Sequence, residues 1–511
     1  MKSIILIVYF AVLIGIGLYC RKHATNVDGF VLGGRSVGPW LTAFAYGTSY
    51  FSAVVFVGYA GQFGWRYGIA ATWAGIGNAL IGSLMAWFIL GRRTRIMSQH
   101  LDSATMPQFF GKRFGSDALK IGASIIIFIF MIPYTASLYN GLSRLFGMAF
   151  DIDYSVCILL MAVLTAVYVI AGGYMATAIN DFIQGLIMLV GIVAIIYAVF
   201  ETQGGFMASL DGLARITDEK VSTTPGIFAS FFGPDPLNLL FVVILTSLGT
   251  WGLPQMVQKF YAITNEQAIQ KGTIISTLFA FVVAGGSYFH GGFGRLFSDK
   301  IDIAANGFDS IVPTMLSGLS AGMIAMVVIL VLSASMSTLS SLVIASSSTL
   351  TIDLLKDNVI KNLSEARQVL IMRILIVVFI AISAVIALIQ YTSSVHFIAQ
   401  LMGVSWGAMA GSFLAPFMYS LYSKRVTVAS CWACFIFSTV LMTANMIVRP
   451  MFPAIMQSPI NSGAIAMLAG LLIVPIVSAF TSKPEKNLVD NAFACYDKET
   501  TVPQSVALGK K

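Results

Sequence analysis

Segments of roughly 18–25 mostly apolar residues follow one another along this chain from its first residues to about position 480. Each is long enough as an α-helix to cross a hydrocarbon core about 30 Å thick. Within lipid the backbone must satisfy its own N–H and C=O groups, which restricts such segments to helices. The 511 residues are 57% hydrophobic and 10% charged, against about 25% charged in a soluble domain, so a soluble fold is excluded. The pattern predicts an all-α membrane protein with about thirteen transmembrane helices. They fall at 3–20, 39–61, 66–90, 120–147, 154–172, 177–199, 237–260, 271–293, 313–353, 367–390, 396–421, 427–448 and 461–480.

The charge pattern gives an orientation. Lys and Arg gather in alternate loops: Arg21, Lys22 and Arg35, then Arg92, Arg93, Arg95, Lys112 and Arg113, then Lys259 and Lys271, Lys356 and Lys361, Lys424 and Arg425, and the C-terminal lysines. The intervening loops hold few. By the positive-inside rule the rich loops are cytoplasmic, which places the N-terminus outside and the C-terminus inside a plasma membrane. The net charge of +8 therefore reports topology and a lipid bilayer partner, with no nucleic acid implied. The five cysteines form no disulfide framework; Cys431 and Cys434 have redox spacing but lie in an apolar helix. The first twenty residues lack a small-residue cleavage site and end on Arg21-Lys22, so they read as a retained helix. Residues 200–236 read as a long external loop, 313–353 as a helix longer than one crossing, and the tail after Thr481 as disordered.

Two spans carry breaks. In LTAFAYGTSYFSAVVFVGYAG, Gly47, Thr48 and Ser49 interrupt an otherwise smooth helix; in LTSLGTWGLPQMVQKFYA, Gly249, Gly252 and Pro254 do so. Interrupted helices in corresponding halves of a transporter point to an inverted repeat with a binding site at the midplane, although ordinary Gly/Pro kinks give the same residues. The stretch SASMSTLSSLVIASSST, residues 333–349, is unusually rich in hydroxyls for a helix in lipid. Ala334, Ser337, Thr338 and Ser341 share one helical face, with Ser340 beside them. Small residues there allow close helix packing; hydroxyls with the freed carbonyls of a broken helix also suit a monovalent cation. Asp181 is an acid well inside a span. Its burial is costly and marks a functional position unless it snorkels to the helix end.

VDGFVLGGRSVGPW, GGYMATAINDFIQGLIMLVG, GLPQMVQKFYA, ASMSTLSSLVIASSSTLTIDLLK and SWGAMAGSFLAPFMYSLYSKR together resemble the sodium:solute symporter family. The resemblance implies a LeuT-type 5+5 inverted repeat with discontinuous helices and Na⁺-driven uptake of a small organic solute, with no enzyme activity. It implies a first helix and loop at 1–38, a ten-helix transport core at 39–421, two further helices at 422–480 and a cytoplasmic tail at 481–511. A shared sodium site takes the carbonyls of Thr48, Phe51 and Ala334 and the hydroxyls of Ser337 and Thr338. Some members hold a second sodium, here matched by Asp181, Ser337, Ser340 and Ser341, so one or two Na⁺ are expected. Thr48 stands where alanine is usual, and Asn180 replaces the usual threonine before Asp181.

The resemblance also bears on the solute. Sugar carriers of the family have Glu-Gln where this chain has Val54 and Val55; proline carriers have an aspartate where it has Tyr50, and aromatics where it has Thr246 and Thr250. The expected lining is Ser52, Val55, Phe56, Tyr134, Ser247, Thr250 and Trp251, for an amino acid or small organic acid. His290 and His396 read as satisfied core or interface residues. The protein is expected to function as a monomer. A proton-coupled carrier with Asp181 as proton site, and a non-transporting solute sensor, are the alternatives.

Overall fold

The computed structural model describes residues 2–150, 153–356, 359–360, 362–392 and 398–497. The described residues are helical, with isolated bridges but no strand. Nine continuous helices among them are long and apolar enough to cross a membrane, or ten with the bent pair Pro236–Gly252 and Pro254–Ala262. This is fewer than the thirteen segments expected, for a physical reason. Two of the nine are too long for one crossing. Tyr154–Glu201 has 48 residues and Val54–His100 has 47, each about 70 Å at 1.5 Å per residue. Each runs through a glycine in the left-handed region.

Gly173 (φ +57°) breaks the first of these two at a point where an added Cβ would lie 3.0 Å from the Phe30 ring. Gly68 (φ +63°) breaks the second, and a Cβ there would lie 2.0 Å from the Phe228 carbonyl oxygen. L side chains rarely adopt such a backbone, so both positions require glycine on two grounds.

Other expectations are corrected by local chemistry. The segment 313–353 holds a helix longer than one crossing, as expected, but it begins later, with 35 residues over Ala321–Leu355. The short helix Ile311–Ser317 precedes it, and its first part, Ala321–Ser348, is capped by the Ser320 hydroxyl on the Met323 N–H at 3.4 Å and continued by a π-helical turn over Thr349–Leu355. The segment 200–236, expected as a loop, contains the helix Phe206–Arg215. The tail is ordered in its first part: Lys486–Asp497 is a helix that buries Val489, Ala492 and Phe493. It is held by Lys424 on Asp490 at 3.0 Å and by the Arg93 guanidinium over the Tyr496 ring at 4.7 Å. Residues 498–511 lie outside the described residues.

The hydroxyl-rich helix Ala321–Ser348 is the axis of the molecule. From Val327 to Ser348 all but Ile329 are buried, and the helix packs on Pro39–Tyr50, Asp117–Phe150, Tyr154–Glu201 and Glu365–Thr392. The helices Val428–Val448 and Pro459–Phe480 pack against Ile398–Tyr422 at one side.

On the loop side a clamp ties three distant segments together. Arg295 donates to the Trp65 carbonyl at 2.5 Å and to the Asp218 carboxylate at 2.9 Å, while its guanidinium lies 3.9 Å from the centre of the Phe228 ring. The Arg295 hydrogen bond holds the Asp218 carboxyl below its ordinary range. A carboxyl held low in the folded state stabilises above its unfolded pKa, and that contribution is lost as pH falls through the folded value. Asp218→Asn is therefore expected to cost about 1 kcal/mol at neutral pH. Thermal melts of the two proteins should converge as pH falls below the ordinary aspartate range.

Candidate functional site

The first broken helix ends at Tyr50, where the Pro39–Tyr50 segment stops, and Phe51 adopts extended backbone (φ −87°, ψ 121°). Helical structure resumes through Val54–Tyr59 and Ala60–Tyr67. The Ser335 hydroxyl caps the resumed half by accepting from the Ala53 N–H at 3.0 Å. The second broken helix parts at Leu253 (φ −82°, ψ 123°), between Gly252 and the helix-starting Pro254, with a bend of 47°. Proline suits a first helical position because its missing N–H has no partner to lose there.

Of the residues expected to make these breaks, Gly47 and Gly249 lie inside regular helix. Each instead makes room for an aromatic ring: a Cβ at Gly47 would lie 2.3 Å from Phe279, and one at Gly249 would lie 2.6 Å from Trp406. Gly252 faces the backbone of Ala410 and Leu414, 2.8 Å from where a Cβ would sit.

Carbonyls released by the first break meet the hydroxyl-rich helix. The Thr338 hydroxyl lies 3.1 Å from the Thr48 carbonyl oxygen, 3.2 Å from that of Phe51 and 3.1 Å from that of Ala334. The Ser337 hydroxyl lies 3.1 Å from the Thr48 carbonyl and 2.9 Å from that of Ala334. All five residues expected at the shared sodium site are thus brought together. Two hydroxyl protons cannot serve these five contacts at once, because each O–H donates once. The cluster is an excess of neutral oxygen acceptors, buried to within 1%, and that chemistry fits a hard monovalent cation.

The second expected set is arranged differently. Asp181 is fully buried, and its Oδ2 lies 4.0 Å from the ammonium of Lys259. Lys259 also donates to the Ser341 hydroxyl at 3.0 Å and approaches the Tyr174 ring to 4.9 Å. Ser341 in turn lies 2.9 Å from the Ser49 hydroxyl. Ser337 belongs to the first cluster, and Ser340 donates to the Ser337 carbonyl at 2.8 Å. Opposite charges 4 Å apart attract by about 4 kcal/mol at an effective dielectric near 20. Burying each charge costs several kcal/mol, so the pair contributes little net while loss of either partner is expensive.

The expected solute-lining residues are all at most 4% exposed, and they divide into two groups. Ser247, Thr250 and Trp251 turn toward the neighbouring helix: Ser247 to the Asn78 side chain at 3.3 Å, Thr250 to the Gly82 carbonyl at 2.9 Å, Trp251 to the Ile81 carbonyl at 2.9 Å. Their polar groups are spent on helix packing. Val55 and Phe56 follow the first break, and Ser52 accepts from the Val54 N–H at 3.3 Å. Tyr134 stands edge-on to Trp406, and Phe56 stacks on His290 with ring centres 6.0 Å apart. His290 is 1% exposed with neither ring nitrogen hydrogen-bonded among the described residues, so it is not the satisfied histidine expected. The Tyr50 hydroxyl is likewise buried without a hydrogen-bond partner. His396 lies outside the described residues.

The pattern of the sodium:solute symporter family matches residues 30–437. The chain belongs to the sodium:solute symporter family. It is 29% identical over 423 residues to the osmoregulated proline transporter OpuE of Bacillus subtilis (strain 168), covering 82% of this chain and 83% of that protein. It is 29% identical over 434 residues to the sodium/proline symporter of Staphylococcus aureus (strain JH9), covering 83% and 81%.

A Na⁺-coupled sialic acid symporter, solved substrate-bound and outward-open, shares its fold with a TM-score of 0.73 at 17% identity, over 95% of this chain and 99% of that one. Mhp1, a nucleobase-cation-symport-1 family transporter solved in a closed conformation, gives 0.51 at 13% identity, over 92% and 98%. The fold is thus the LeuT type with discontinuous helices, and the protein is a multi-pass Na⁺-coupled solute symporter, not an enzyme.

In this symporter Lys259 does not lie with the loop cations among which the charge pattern places it: it is 1% exposed in the second half of a broken helix. The signal was present: Lys259 falls inside the apolar span 237–260. In sodium-free choline chloride, Asp181→Asn and Lys259→Met are each expected to lower stability by about 3–5 kcal/mol. The double variant should cost less than the sum, by a coupling of at least about 1 kcal/mol in a denaturation cycle.

Proposed function

We propose that this symporter imports a small amino acid into the cell by alternating access, driven by sodium bound through the Thr48, Phe51 and Ala334 carbonyls and the Ser337 and Thr338 hydroxyls. The observation that carries the ion site is the convergence of those five oxygens, from a broken helix and the central helix, within 3.2 Å of one another along the contacts named above. Sodium there ties the two elements together and favours the state that accepts solute; its loss to the cytoplasm frees them and releases the solute. The chain acts as a monomer in the plasma membrane, with the N-terminus outside and the C-terminus in the cytoplasm.

Proline is the first solute to test, because the relatives that match over most of the chain are proline transporters. Ser52, Val55, Phe56 and Tyr134 line its place, with His290 and Tyr50 supplying polar groups that have no partner among the described residues. A small monocarboxylate is the second reading. It is favoured by Tyr50, an uncharged residue in the first broken helix where the proline carriers of the family have an aspartate.

A thermal melt of the purified protein in NaCl against equal choline chloride tests the ion site. Binding to the folded state stabilises by RT ln(1 + [Na⁺]/Kd), about 2.7 kcal/mol at one hundred times Kd. The expected result is a sodium-specific rise in Tm, lost in Thr338→Ala and kept in Thr338→Ser. Proteoliposomes with an imposed sodium gradient should then accumulate labelled proline, or pyruvate on the second reading. Uptake that persists without sodium and collapses with the proton gradient overturns the scheme in favour of proton coupling. Binding with no accumulation of either solute would leave a sensor.

A further inference from the structure

The pocket around Asp181 already holds a positive charge, the Lys259 ammonium 4.0 Å from Oδ2. We propose that Lys259 is the permanent cation of that pocket: its ammonium stands where a second ion would, so the symporter works with one exchangeable sodium. This rests on the reading of the Thr338 cluster as the sodium site.

The charges decide the matter. Asp181 brings one negative charge into a site with no exposure, and Lys259, 1% exposed, brings one positive charge to within 4.0 Å. The pocket is then neutral. A sodium added beside the ammonium leaves an uncompensated positive charge in the membrane interior, where unpaired charge is most costly. The serine hydroxyls are also taken, while the Asp181 oxygens have no hydrogen-bond partner among the described residues and face the ammonium at 4.0 Å. Ser341 accepts from Lys259 at 3.0 Å and pairs with Ser49 at 2.9 Å. Ser340 donates to its own helix and Ser337 serves the first cluster. The ammonium is a compact cation with three donors, and Tyr174 offers it an aromatic face at 4.9 Å.

The arrangement also explains why the cation is tethered. Lys259 lies on Pro254–Ala262, the second half of one broken helix, and Ser341 lies on Ala321–Ser348. Ser337 and Thr338 hold the other broken helix through Thr48 and Phe51, on the same central helix one turn earlier. Both breaks are therefore fastened to one helix through positive charge. One fastening is an ion that comes and goes, and the other is a side chain that cannot leave. The Ser49–Ser341 contact joins them.

The test is a count of ions. Equilibrium binding of ²²Na⁺ to the purified full chain should saturate at one per protein in the wild type. Lys259→Met keeps most of the apolar stem and removes the charge, so it should saturate at two. Lys259→Met combined with Asp181→Asn should return to one. Two ions in the wild type, or one in the single variant, overturns the proposal and leaves the sodium scheme standing. No saturable sodium in the wild type overturns the Thr338 site itself, and this proposal with it. If Lys259→Met does not fold, the wild type with Asp181→Asn still decides: one ion in both supports a tethered cation, and a fall from two to one makes Asp181 a sodium ligand.

Discussion

The contact between the Thr338 hydroxyl and three backbone carbonyls is the point on which this architecture turns. A helix broken in the middle of a membrane leaves N–H and C=O groups that neither water nor lipid can satisfy, each at a cost of several kcal/mol. Here the N–H of Ala53 goes to the Ser335 hydroxyl, and the carbonyls of Thr48 and Phe51 go to Ser337 and Thr338. The donors run short by design of the chemistry: two protons face five oxygen contacts. On the proposed reading, the same deficit that would destabilise a purely structural helix suits the site to a cation, and the break, the hydroxyl-rich helix and the ion requirement are then one feature seen from three sides.

That feature has an energetic consequence for transport. A tenfold sodium gradient supplies about 1.4 kcal/mol per ion, and −100 mV about 2.3 more. One exchangeable ion with a neutral solute supports about 3.7 kcal/mol, or roughly a 500-fold accumulation. Two would support about 7 kcal/mol and roughly 10⁵-fold. On the proposal that Lys259 is the resident cation at Asp181, the second pocket is electrically complete without an ion, the drive is confined to one sodium, and the second broken helix does not depend on ion supply for its fastening.

Much of this was legible in the residues. The spacing of Ala334, Ser337, Thr338 and Ser341 placed them on one face, and the structure finds three of them at the oxygen cluster and the fourth beside Lys259. Leu253 between Gly252 and Pro254 is where the second helix parts, as the glycine and proline suggested. What was not legible concerns distances across the chain. Gly47 and Gly249 looked like breaks because glycine loosens a helix, but their partners Phe279 and Trp406 are far away in sequence, and close packing is invisible without them. Thr250 and Trp251 looked like pocket residues until Ile81 and Gly82 took their hydrogen bonds. Lys259 falls just inside the end of the span 237–260, which hints at burial, but only the position of Asp181, on another helix, shows which way its ammonium turns.

The most direct test of the central claim is hydrogen–deuterium exchange of the full chain in NaCl against choline chloride, read at the backbone amides of residues 48–56. If sodium binds across the break, it should slow exchange there and around residues 333–341, and this protection should vanish in Thr338→Ala, while distant helices such as Val428–Val448 exchange alike in both salts. Equal exchange of residues 48–56 in the two salts, or slowing spread evenly over the whole protein, would contradict the account and return the hydroxyls to a packing role.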